Sequence, residues 1–143
     1  MSETIFERVR DSFAQQQFMA TLGATLISTK SGAVEIAMPF HPNLTQQNHY
    51  LHAGAITSIL DSACGYAAMT MAPEGANVLS VEFKVNLLSP AIGERFIARA
   101  QVKRAGRRIT VCTADAFAVD EREEKLIATM LATIVTMVDA TPL

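Results

Sequence analysis

Residues 53 to 71, AGAITSILDSACGYAAMTM, form a predominantly apolar, Ala-rich run that is too long for a strand. Such a run predicts a buried helix opening at Ala53, and the rest of the chain must supply the surface that covers it. Two residues depart from the apolar pattern. Asp61 stands in the middle of the run, where a carboxylate is rarely buried unless it is paired or used. Gly65 follows four residues later, where a helix interior ordinarily prefers Ala. A helix that carries an acid into the core and is trimmed to Ala and Gly suits close approach by another body.

The covering elements can be read in order. Residues 3 to about 19 predict one amphipathic helix, with Ile5, Phe6, Val9, Phe13 and Phe18 as its apolar stripe. Ala24–Lys30 and Ala33–Met38 alternate about a Ser31-Gly32 turn, a hairpin pattern ended by Pro39. His41 to Leu51 is polar and predicts a loop into the central helix. Pro73, Glu74 and Gly75 mark a turn, and from Asn77 the period changes to two. Leu79, Val81, Phe83, Val85 and Leu87 alternate with Ser80, Glu82, Lys84 and Asn86, predicting a half-buried strand with the first set inward. Ser89-Pro90 and Gly93 break that strand. Phe96–Lys103 and Ile109–Val119 predict two more strands, joined by a turn at Arg104-Ala105-Gly106-Arg107. A charged turn at Glu121 to Glu124 leads into a last strand, Lys125 to Val138. A single long helix and antiparallel strands of this kind predict an α+β domain spanning residues 1–143, with the sheet wrapped round the helix and one edge open to a partner.

Half of the residues are apolar, a surplus that an oligomer would hide. No uninterrupted apolar run reaches the roughly 18 residues of a membrane span, so membrane insertion is not expected. The N-terminal residues mix acids and bases without a hydrophobic centre, which argues against a signal peptide and for a cytoplasmic protein. A net charge of −2 gives no bulk attraction for nucleic acid. Cys64 and Cys112 fit no metal or redox spacing and are expected to be reduced, although a pair is formally possible. Cys64 has no base at a recognisable spacing to make it a nucleophile, and a small buried thiol is its simpler reading. His49 and His52 lack a clear third partner for a metal, so no metal is expected.

The helix start has a feature of its own. Leu51 and His52, unlike Ser, Thr, Asp or Asn, are not ordinary caps, so the N–H groups at Ala53 and Gly54 are candidates to receive a ligand oxygen. Water or the His52 side chain is the plainer partner for them.

The element order, His52-Ala53-Gly54 at the helix start, Asp61 nine residues after His52, and the strand NVLSVEFKVNLLSPA together resemble the hotdog-fold acyl-CoA thioesterases. The likeness runs from about Gly23 to Val138 and is strongest to the phenylacetate-pathway branch and its hydroxybenzoyl-CoA relatives. That family carries His-Gly-Gly where this chain has His52-Ala53-Gly54; alanine keeps the N–H that the resemblance assigns to the thioester carbonyl. The resemblance implies hydrolysis of an acyl-CoA thioester to the free acid and coenzyme A, with no cofactor beyond the coenzyme A of the substrate. It implies Asp61 as general base or nucleophile, and Gln46 as the amide that orients water or the acyl group, with Asn48 as a nearby substitute. Ser80 would stand near the attacking water, although its pattern position suggests an outward serine; His52 would orient substrate or cap the helix.

Asp61 lies eight residues, about 12 Å of helix, from Ala53, too far to serve one carbonyl within one chain. The resemblance closes that gap with a homodimer, doubled in a dimer of dimers. It also implies that basic residues hold the coenzyme A phosphates, for which Arg104, Arg107 and Arg108, with Lys103 beside them, are the candidates. Two other functions stay open: a hotdog dehydratase or hydratase, although the His-and-acid pair of those enzymes is not found here, and a non-catalytic acyl-CoA binding module. The acyl chain is not legible, although Phe83, Met69 and Tyr66 are candidates to line its pocket.

Overall fold

The run at 53 to 71 folds as a helix, and the sheet is laid against one side of it. The structure, a computed structural model, describes residues 3–138. In chain order it comprises α1 (Ile5–Gln15), α2 (Gln17–Leu22), β1 (Thr25–Lys30), β2 (Ala33–Pro39), a 3-10 turn (Pro42–Leu44), α3 (Ala53–Met69), β3 (Asn77–Leu87), β4 (Arg95–Ala105), β5 (Ile109–Asp120) and β6 (Glu123–Met137). The strands form one antiparallel sheet in the order β1-β2-β4-β5-β6-β3. β3 is therefore an edge strand, although its sequence neighbours are α3 and β4.

α3 can lie close to the sheet because the strands beneath it turn small residues inward. Ala98, Ala100, Ala114, Ala116, Ala118, Ala128 and Ala132 are all buried, as are Ala63 and Ala67 of the helix. Around this Ala floor, Ile36, Met38, Phe96, Met130 and Ile134 fill the remaining volume against Ile56, Ile59 and Leu60. Each such side chain contributes roughly 1.5–3 kcal/mol of burial. The far end of the helix is tied to the first hairpin, where the Gly32 N–H donates to Thr70 Oγ1 at 2.7 Å.

Three boundaries differ from the pattern reading. The N-terminal helix is two helices, because Gln16 leaves helical geometry at φ −81°, ψ 100°. That break resets the phase, so Val9, Met19 and Leu22 point inward while Phe6 and Phe18 remain exposed. A capping box between Thr4 and Glu7 starts α1, and those hydrogen bonds hold the Glu7 carboxyl below its usual range. The turn after β4 is Gly106–Arg108, which leaves Arg104 on the strand. Gly106 is fixed there by close approach, since a Cβ would stand 2.5 Å from the Ile109 carbonyl oxygen. The charged turn is only Glu121 and Arg122, with Glu121 at φ 52°; β6 begins at Glu123.

The fourth difference bears on function. β3 does not keep one phase. Its pairing with β6 slips between Ser80 and Glu82, so Val81 is an extra residue. Val78 and Ser80 pair with Thr136 and Ile134, both buried, and beyond the bulge Phe83, Val85 and Leu87 pair with buried Ala132, Met130 and Ala128. By pairing, Val78, Ser80, Phe83, Val85 and Leu87 share the helix side of the sheet, rather than an unbroken alternation from Leu79, and of these only Val78, Ser80 and Val85 are half-buried. This edge leaves apolar side chains in the open: Leu79 is 44% exposed, Val81 50%, Phe83 42% and Leu87 56%.

Candidate active site

The bulge brings Ser80 round to α3, where Ser80 Oγ donates to Asp61 Oδ1 at 2.7 Å. Asp61 is half-buried, and its other oxygen accepts nothing among the described residues. Its helical neighbours are otherwise engaged: Ser58 Oγ donates to the Gly54 carbonyl at 2.6 Å and Ser62 Oγ to Gln16 Oε1 at 3.1 Å. The carboxylate is therefore oriented by one hydroxyl and open on the other side. It opens into a cleft of ≈ 580 Å³ between α3, β3 and α1, lined also by Gly65, Tyr66 and Met69. A Cβ at Gly65 would meet nothing within 4 Å, so the trimmed position is free space one turn from the acid. Of the three proposed lining residues, Tyr66 and Met69 lie in this cleft and Phe83 does not.

The other end of the helix forms a second cleft, of ≈ 440 Å³, which contains Gln46, His52 and Ala53 with Leu87 to Ala91. The loop before it is drawn into place by a bridge between Thr45 and Leu51 and by the His52 N–H to the Leu44 carbonyl at 2.8 Å. His52 is the N-cap. Its Nδ1 accepts the Gly54 N–H at 2.7 Å, so that donor is engaged within the chain. A Cβ at residue 54 would stand 2.9 Å from the same nitrogen, which is why glycine belongs there. The Ala53 N–H has no acceptor among the described residues. Gln46 Oε1 accepts the Asn48 N–H, while Asn48 itself faces a different hollow beside Phe40 and Ile92. Gln46, not Asn48, thus shares space with Ala53.

Asp61 and Ala53 do not share a cleft; the two hollows have no lining residue in common. β3 runs past both, and Ser80 and Leu87 are about 23 Å apart along an extended strand. Within one chain the two candidate groups are not brought together.

Arg104, Arg107 and Arg108 converge on a third groove, of ≈ 670 Å³, with Gly106, Ile109 and Val111. None of the three makes an ion pair among the described residues. Lys103 turns instead towards Ser31 and Met71. The groove lies at the Asp61 end of the sheet, since Ile109 pairs with Val135, which pairs with Leu79.

Cys64 is buried one turn from Asp61, and burial first, then Cys112 and Asp61, push its thiol well above the ordinary range. Cys112, pushed to about 11 by burial, donates to the Cys64 carbonyl at 3.4 Å. Both are free thiols in the core, not poised nucleophiles. Among the described residues no three His, Cys, Asp or Glu side chains gather as metal ligands, and no helix is long and apolar enough to cross a membrane.

The polar wall of the Asp61 cleft was missed by pattern reading. Ser12 of α1 and Gln16 of the break between α1 and α2 meet Tyr66, where Gln16 Nε2 donates to the Tyr66 hydroxyl at 2.9 Å. The available signal was two glutamines where the apolar stripe of one helix should have continued.

Comparison with known proteins places these features in a family. Residues 48–125, which contain His52, Asp61, Ser80 and the three arginines, match the model of the thioesterase superfamily. A crystal structure of a thioesterase family protein from Silicibacter pomeroyi is 52% identical, covers 94% of this chain and 99% of its own, and superposes with a TM-score of 0.93. A protein of Halobacterium salinarum whose esterase designation is provisional is 31% identical over 100 residues, 65% of this chain and 64% of that one. The chain thus spans a little under two thirds of that relative's length. The E. coli PaaI protein of the phenylacetic acid degradation operon, at 19% identity, shares the fold with a TM-score of 0.83 over 93% of each chain. The chain belongs to the thioesterase superfamily and carries its hotdog fold, one long helix held against a curved six-stranded antiparallel sheet.

Proposed function

We propose that the protein hydrolyses acyl-CoA thioesters to the free acid and coenzyme A, in a dimer that sets Asp61 of one subunit against the helix start of the other. The observation that carries this reading is the Asp61–Ser80 pair, with one carboxylate oxygen open to a cleft beside an apolar edge strand. An acid and a helix start that never meet in one chain make a complete site only when a second copy brings them together. The exposed side chains of β3 are the surface such a copy would cover, extending the sheet across a two-fold axis.

In that dimer the free Ala53 N–H polarises the thioester carbonyl and stabilises the oxyanion. Asp61, held by Ser80, removes a proton from water as the water attacks the carbonyl carbon; the C–S bond then breaks and coenzyme A leaves as the thiol, taking up that proton. In the alternative, Asp61 attacks the carbon itself, the C–S bond breaks to give an acyl-aspartyl anhydride and the thiolate, and water then cleaves the anhydride to the free acid, its proton going to the thiolate. Gln46 orients the water or the acyl oxygen beside Ala53. Arg104, Arg107 and Arg108, which make no ion pair among the described residues, hold the coenzyme A phosphates. The paired subunits form a dimer of dimers in the cytoplasm, and no metal or redox cofactor takes part.

The test is release of free thiol from a panel of aryl, short-chain and long-chain acyl-CoAs, repeated with Asp61→Ala. Thiol release that Asp61→Ala abolishes supports the hydrolase. Tight acyl-CoA binding without thiol release, unchanged in Asp61→Asn, would mark a binding module instead. Addition of water to an enoyl-CoA with no thiol released would mark a hydratase.

A further inference from the structure

We infer that two copies of the chain join β3 to β3 antiparallel about a two-fold axis at Phe83, with Glu82 of each subunit opposite Lys84 of the other, and that these charges select the register on which the shared site depends. The inference rests on the dimer proposed above and specifies how its two edges meet. Neither Glu82 nor Lys84 makes an ion pair among the described residues. Both are exposed, and the residues opposite them on β6, Thr133 and Leu131, carry no charge. They stand on the face of β3 away from α3, since Thr133 and Leu131 flank the buried Ala132 that pairs with Phe83. A lone lysine on an open edge discourages pairing with other chains. A glutamate two residues away on the same face has a different effect: it makes this edge complementary to its own reversed copy.

Antiparallel strands set each residue opposite one on the same face, so two copies of β3 meet only in registers that keep Phe83, Val85 and Leu87 against the same set. A centre at Glu82 sets Glu82 against Glu82 of the other subunit, and a centre at Lys84 sets Lys84 against Lys84. Either places like charges directly opposite, at Cβ separations of about 4.5–5.5 Å. A centre at Val85 leaves both residues opposite uncharged ones. Only a centre at Phe83 forms two Glu82–Lys84 pairs, and it also sets the exposed Phe83 rings against each other on the helix side of the sheet. The same register joins the two hollows. Counting outward from Phe83, with Val81 as the extra residue of the bulge, Ser80 falls opposite Val85 and Val78 opposite Leu87 of the other subunit. Val78 lines the Asp61 cleft and Leu87 lines the Ala53 hollow, so the two spaces abut across the seam.

The experiment measures the dimer dissociation constant of the full chain by sedimentation at low ionic strength, for the unaltered protein, Glu82→Lys, Lys84→Glu and the double exchange Glu82→Lys/Lys84→Glu. Each single exchange sets like charges opposite at both symmetric places and should raise Kd about 10–100-fold. The double exchange restores both pairs with their signs reversed, and Kd should return to within about threefold of the unaltered value. A single exchange that leaves Kd unchanged, as a centre at Glu82 or Lys84 requires, would overturn the register, and so would a double exchange no tighter than the singles. Cross-linking by oxidation reads the register independently of those charges' strength. Phe83→Cys, on the axis, should form the intersubunit disulfide fastest, and faster bridging by Glu82→Cys or Lys84→Cys would overturn the assignment. Thiol release from acyl-CoA is followed in parallel. A dimer that obeys the exchange pattern and releases no thiol keeps the register while the hydrolase reading fails. A chain that stays monomeric at every concentration overturns the register and the two-subunit site together, whatever its activity.

Discussion

The two candidate stretches of α3, its start and the turn that carries Asp61, are finished in opposite ways. At its start the helix is tightly finished: His52 caps the Gly54 N–H, the loop is stitched to it by backbone bonds, and one N–H at Ala53 is left bare. Around Asp61 the helix is cut back: Gly65 leaves open space, Ser80 crosses from a bulged edge strand, and the wall is polar. Among the described residues the first stretch presents a donor and no acid, and the second an acid and no bare backbone donor. On the dimer proposed above each stretch supplies half of a site, and the glycines at 54 and 65 serve opposite ends. One allows an imidazole to come close, and the other leaves room.

Substitutions can sharpen that contrast. The largest effect is expected for Asp61→Asn, which keeps the Ser80 contact but removes the base; thiol release should fall by about 10²–10⁴-fold with the melting temperature little changed. Ala53→Pro comes next. Proline is well tolerated at the first position of a helix, and His52 at φ −64°, ψ 138° already has the backbone that precedes proline. The substitution deletes one N–H and little else, so kcat should drop about 10²–10³-fold with thermal stability retained. Ser80→Ala, which frees Asp61 to rotate, should reduce kcat about tenfold. The smallest effects separate the two glycines. Gly54→Ala should lower stability by about 1 kcal/mol by displacing the His52 cap, measured by denaturant unfolding. Gly65→Ala should raise stability by up to about 1 kcal/mol, since its Cβ meets nothing, while reducing activity by filling the cleft.

Much of this was written in the chain, for identifiable reasons. The central helix was legible because a 19-residue, mostly apolar run has no other economical fate, and the spacing from His52 to Asp61 carried the resemblance that named the candidate residues on it. What escaped was what periodicity cannot carry. The bulge at Val81 turns Ser80 inward, and strict alternation placed that residue on the wrong face. The break at Gln16 came from a side chain satisfied by Tyr66 and Ser62, contacts 50 and 46 residues away. The cap was a histidine where the usual short polar residues were absent. Strand order, which sets β3 on an open edge beside β6, follows from long-range pairing and has no local signature.

The most direct test mixes two inactive proteins, Asp61→Ala and Ala53→Pro, after dissociating and reassociating their subunits. If the site spans the two-fold axis, half of the dimers formed are mixed, and each mixed dimer has one site with both Asp61 and the Ala53 N–H intact. About a quarter of the unaltered activity should return. If the acid and the helix start act within one chain, every site in the mixture lacks one of them, and no recovery would contradict the account.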